Sequence, residues 1–199
     1  MRLLVAGLLL FANLQTGAVR LGGDLTQGLR LVYASNGQEQ PAWVVDSVTS
    51  RLALLPQGDC ARFYLRRRPD QAMAEENRVC VVRDTLFGWD ARRAGWQPRR
   101  PVGPGMTLVL PQANGDTVTF TTGTPSEEAI SERNLVVIPT TVLTVDSLGR
   151  PKRRLRERFS PGLVTATGGV FERADSGSAA GWRVEQTFEL RAIGPGSPP

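Results

Sequence analysis

Lys152-Arg153-Arg154-Leu155-Arg156-Glu157-Arg158-Phe159 is the most highly charged segment of this 199-residue chain. Laid out as a strand, it points Lys152, Arg154, Arg156 and Arg158 one way, about 7 Å apart. Leu155 and Phe159 point the other way, together with Arg153 and Glu157. A cationic ladder of this kind repels itself unless anions face it. Two uses follow. The ladder is an anion-binding strip for lipid headgroups, lipopolysaccharide or acidic polymer. Or it is a wet outer face, paired with acids such as Glu185 and Glu189.

Paired carboxylates are the one catalytic chemistry left open. Glu157, Glu172, Glu185 and Glu189 fall on the last three expected strands, so two of them can approach at glycoside-hydrolase spacing. Nothing sets two of them apart from the rest, and pairing with nearby arginines is the simpler use. Other schemes lack parts. The chain has no histidine, which removes Ser-His-Asp and Cys-His nucleophiles and ordinary zinc sites. There is no phosphate loop and no Gly-x-Ser-x-Gly elbow. Lys152 sits among arginines, which does not desolvate it as a nucleophile requires. Asn114-Gly115-Asp116 is too sparse for calcium and reads as a turn. The expectation is therefore a non-enzyme with no metal and no cofactor.

Trp89, Trp96, Arg99 and Arg100 lie in an irregular stretch from Gly88 to Gly105. A long loop rich in aromatics lines a ligand site or lids a barrel mouth. The alternative is a loop pinned to the core by its two indoles.

Placing these groups is the task of strands. Apolar residues recur at period two almost throughout. Leu29 to Ser35 reads as a strand, followed by Asn36-Gly37, a strong hairpin signal. Trp43 to Val48 is the return strand. Cys60 to Arg66 and Val79 to Phe87 follow, with a polar connection from Arg66 to Glu76. Met106 to Leu110 and Thr117 to Thr122 flank a second hairpin turn at Asn114-Gly115. Pro125 to Arg133 is the one helix candidate. Leu135 to Val145 is interrupted by Pro139, so it bends or lies at an edge. Arg153 to Phe159, Leu163 to Glu172 and Trp182 to Ile193 are three successive strands. In the last, Trp182, Val184, Gln186, Phe188 and Leu190 share the face expected to be buried. About ten strands and at most one short helix point to an all-β fold, a curved antiparallel sheet forming an open or closed barrel.

The address is also written in the chain. Residues 1–18 combine a positive start, a short apolar run and small residues at Gly17 and Ala18, the outline of a secretory signal peptide. The run is too short to span a membrane, which takes about 20 apolar residues. The mature chain is expected from Val19, with one β domain over 19–193 and a disordered tail over 194–199. Cys60 and Cys80 both fall in the exported part, where an even count reads as a disulfide. The net charge of +5 falls to +4 without Arg2 and speaks to solubility and anionic partners, not to fold. Export and the lack of an aromatic-basic motif argue against nucleic acid.

Arg156-Glu157-Arg158-Phe159-Ser160-Pro161-Gly162-Leu163-Val164 resembles a motif of uncharacterised secreted bacterial β proteins. In these a late strand ends in an aromatic, a Pro-Gly turn follows and a closing strand comes after. Such proteins are similar to the lipoprotein-carrier or lipocalin kind of open barrel, curved around an apolar hollow. The leader implies a periplasmic or extracellular protein, and the leading expectation is non-catalytic binding of an apolar or amphiphilic ligand, or of an envelope protein partner. The resemblance transfers no site residue. The competing expectation is a module that docks on anionic polymer or lipid through Lys152, Arg154, Arg156 and Arg158, with a carboxylate hydrolase third.

Overall fold

The computed structural model describes residues 20–66, 72–175 and 181–195. The leader 1–18, residues 67–71 of the polar connection and the last four residues of the tail lie outside these. The strands, in chain order, are β1 (Arg30–Ser35), β2 (Gln38–Glu39), β3 (Trp43–Ser50), β4 (Asp59–Arg66), β5 (Glu75–Val82), β6 (Thr85–Asp90) and β7 (Gly95–Pro101). They continue with β8 (Thr107–Pro111), β9 (Thr117–Thr122), β10 (Ser126–Ile130), β11 (Arg133–Val145), β12 (Pro151–Ser160), β13 (Thr165–Ala174) and β14 (Trp182–Gly194). There are 14 strands, not about ten, and no helix among the described residues.

All strands join one antiparallel sheet, in the order β7-β6-β5-β4-β3-β1-β14-β13-β12-β11-β9-β8, with β2 beside β1 and β10 beside β11. The sheet coils into a nearly closed barrel. Its two ends are tied where the chain passes from β7 to β8. There buried Thr122 donates from Oγ1 to the Gly103 carbonyl at 2.6 Å, and accepts from the Met106 N–H at 2.9 Å. Closing a sheet in this way hides the unpaired edges that invite aggregation.

The turns follow from residues that tolerate positive φ. Asn36 and Gly37 both adopt it (49° and 80°), which suits the tight turn between β1 and β2. Gly115 does the same between β8 and β9, at φ 82°. The main core gathers side chains from across the sheet. Leu31, Tyr33, Val45, Phe63, Leu65, Leu190 and Ile193 pack there, with Ile130, Leu135 and Val137 from β10 and β11.

Four expectations need correction. The helix candidate over 125–133 forms β10 and the turn into β11. A two-turn helix is marginal alone, and pairing β10 with β11 buries Ile130 in the core. The stretch from Gly88 to Gly105 is mostly the β6–β7 hairpin. Pro98 and Pro101 are tolerated because β7 is an end strand of the sheet. Pro139 neither ends nor edges β11. It sits where the neighbour of β11 changes from β10, paired up to Val137, to β9, paired from Thr140.

The fourth correction concerns β14. Gln186 lies opposite Phe171, whereas Val184 lies opposite Glu172, so Glu185 is an extra, bulged residue. A bulge resets the alternation of faces. Trp182 and Val184 therefore share a face with Glu172, and Gln186, Phe188 and Leu190 take the other. Leu190 is buried, Phe188 half-buried, Gln186 exposed and Val184 54% exposed.

Candidate functional site

Cys60 and Cys80 are bridged, as the pairing of β4 with β5 allows: the two residues lie directly opposite one another and are fully buried. This bridge pins the half of the sheet that carries β6 and β7.

The β6–β7 hairpin distributes the four aromatic and basic candidates. Trp89 and Trp96 are directly opposite, with rings edge-on at 5.7 Å, on the face away from Leu86. Arg99 is exposed. It is the residue skipped between the pairs Phe87–Pro98 and Leu86–Arg100. That irregularity turns Arg100 onto the same face as buried Leu86, and so into the molecule.

Inside, Arg100 reaches the far strand β12. Its guanidinium lies 3.8 Å from the centre of the Phe159 ring. Its Nη2 is 2.7 Å from Oε1 of Glu157, and the two side chains are only 12% and 8% exposed. The charges touch, but the approach is off the N–H direction, and both Nε and Nη2 lack an aligned acceptor. Burial disfavours the charged guanidinium and pulls its pKa down, opposed by the charge of Glu157. A buried donor without a partner costs free energy, so this group is poised to donate to a ligand oxygen.

It borders a cavity of about 1020 Å³. Tyr33, Trp43, Phe159, Phe171 and Phe188 supply aromatic wall, and Gln40 and Gln186 add amides. Tyr33 stacks at 4.7 Å on Trp43, and its hydroxyl donates to the Ala166 carbonyl at 3.0 Å. Burial pushes its pKa up to about 12, so it is a neutral phenol at pH 7. Phe188 crosses β13 at Gly169. A Cβ there would stand 2.8 Å from the Phe188 ring and 2.7 Å from the Arg156 carbonyl oxygen. Glycine in a strand often marks such a close approach, and Gly169 is the sequence signal for the place where Phe188 crosses β13.

The cationic ladder lies on the opposite face, and carboxylates meet it. Lys152 Nζ is 2.7 Å from Asp116, and Arg158 Nε is 3.0 Å from Glu128. Arg154 and Arg156 both grip Glu172, at 2.7 and 3.0 Å. Arg154 also stacks 4.4 Å from Trp182. Glu185 faces Arg173 instead, at 3.7 Å, and Glu189 pairs with Arg191 at 2.9 Å. Glu172 and Glu157 stand on opposite faces of the sheet, so they do not converge on one substrate.

Hydrogen bonds from Arg154, then from Arg156, hold the Glu172 carboxyl below its ordinary value of 4.5. A depressed folded pKa adds stability above the unfolded value and loses it as pH falls through the folded one. Stability should therefore decline once pH drops below about 4.5. Glu172→Gln should flatten that acid limb. Thermal melts at descending pH check this, and an unchanged slope in the variant would contradict it.

The chain matches no protein-family model, no curated protein and no solved structure. Among the described residues, no helix is long and apolar enough to cross a membrane.

Proposed function

We propose that this chain is an exported, non-catalytic protein of the cell envelope that takes an apolar or amphiphilic ligand into its open, aromatic-walled cavity. The observation that carries the reading is the aromatic cavity of about 1020 Å³ with the incompletely satisfied Arg100 in its wall. Ligand pockets combine mostly apolar walls with a few placed polar groups and reach volumes of this order. The ionisable groups lining it are Tyr33, Arg100 and Glu157. One is a neutral phenol and the other two offset each other, which suits recognition better than catalysis. The buried Cys60–Cys80 bridge suits an oxidising compartment, and the pattern of residues 1–18 supports export.

Docking on anionic polymer through Lys152, Arg154, Arg156 and Arg158 has less support, since each of these cations already faces a carboxylate.

The test is titration of the exported chain with N-phenyl-1-naphthylamine, a neutral apolar fluorophore. Saturable enhancement at one site per chain is expected. Ala166, which lines the cavity, provides the control. Ala166→Phe should fill the space and weaken binding by about tenfold or more, equivalent to about 1.4 kcal/mol. No saturable binding, or binding untouched by that change in a folded variant, would refute the reading.

A further inference from the structure

Three arginines form one cross-strand row. Arg153 of β12 is directly opposite Arg173 of β13, and Arg173 is directly opposite Arg183 of β14. Directly opposed side chains stand about 5 Å apart at Cβ, and like charges there are destabilising. All three are exposed. Arg173 has a loose contact with Glu185 at 3.7 Å. Arg153 and Arg183 make no ion pair among the described residues.

The row is on the cavity face, not on the ladder face. One step inward, about 7 Å along the strands, the same face carries Leu155, Phe171 and Gln186. Phe171 is 38% exposed and lines the cavity with Gln186. The next step carries Glu157, Gly169 and Phe188, with Phe171 and Phe188 in ring contact at 5.6 Å. The face thus runs from cations, through exposed apolar surface, into the aromatic cavity. Carboxylates also line the recess around the row. Asp116 and Asp146 are engaged by Lys152 and Arg150, each at 2.7 Å. Asp175 is left as the one lining acid without an ion pair among the described residues.

We infer that Arg153, Arg173 and Arg183 bind the anionic head, a phosphate or similar oxyanion, of an amphiphile whose chain enters the cavity. The inference rests on the proposed function and narrows its ligand class to anionic amphiphiles. Guanidinium forks suit phosphate oxygens, and an anion relieves the repulsion within the row.

Calorimetric titration with dodecyl phosphate, dodecyl maltoside and inorganic phosphate, each amphiphile kept monomeric, tests it. The wild-type chain should bind dodecyl phosphate about 10–100-fold more tightly than dodecyl maltoside. The triple change Arg153→Gln, Arg173→Gln and Arg183→Gln should abolish that preference and leave the maltoside affinity within about twofold. Because the three side chains are exposed, the variant should fold. Equal wild-type affinity for the two amphiphiles would overturn the inference but leave the cavity reading standing. Inorganic phosphate binding as tightly as dodecyl phosphate would also overturn it, since the site would then take a free anion. Binding of neither amphiphile would overturn both.

Discussion

Arg100→Met should destabilise the protein by about 3–5 kcal/mol, the cost of removing one partner from a buried ion pair. The change keeps an unbranched apolar stem over Phe159 but leaves the Glu157 carboxylate alone in the interior. Glu157→Gln should be costly for the converse reason, since it strands the guanidinium. The double change Arg100→Met with Glu157→Gln should recover much of the loss, because no uncompensated charge then stays buried. Urea unfolding of the four proteins measures the coupling. A loss below about 1 kcal/mol at Arg100 would place it with exposed pairs, and the account of the interior would be wrong.

Removing the Cys60–Cys80 bridge should cost about 3 kcal/mol, from the loop entropy of a separation of 20 residues. Both half-cystines are fully buried, so replacing both by Ala adds a packing loss. Against a typical total of about 5–15 kcal/mol, that is a large fraction. The bridge joins β4 directly to β5, and the hairpin bearing Arg100 hangs from β5 through β6. Losing it should therefore loosen the cavity wall as well as the fold. Urea titration of the double Ala variant, with and without reductant, checks the size. A variant within about 0.5 kcal/mol of wild type would contradict it.

Much of this architecture is legible in local chemistry. Asn36-Gly37 and Asn114-Gly115 announce their turns through residues that accept positive φ. Period two announces the strands, and the strand spacing places Cys60 beside Cys80. What local patterns hide is where alternation breaks. The bulge at Glu185 is silent in composition, so Trp182 and Val184 read as core and lie instead beside Glu172. The skip at Arg99 likewise brings Arg100 onto the face of buried Leu86. Ser126 to Arg133 has the polar-apolar mix of a short helix, and its fate is set by the partner strand β11 and by burial of Ile130.

The site was only partly legible for the same reason. Arg100 and Glu157 each stand out in the sequence, one in a Trp-rich stretch and one among candidate carboxylates. Their meeting depends on how far the sheet coils, because β7 and β12 are remote in strand order. The row Arg153, Arg173 and Arg183 depends on register across three strands, which no single strand records. The ladder Lys152, Arg154, Arg156 and Arg158 was conspicuous because it lies in one strand. Its partners Asp116, Glu128 and Glu172 come from elsewhere in the chain.

Native mass spectrometry of the protein purified without detergent from its native source tests the central claim most directly. The account predicts a one-to-one complex with an apolar or amphiphilic molecule in the wild-type chain, and its loss in a folded Ala166→Phe variant. A wild-type protein that carries nothing, and takes up no amphiphile when offered one, would contradict it.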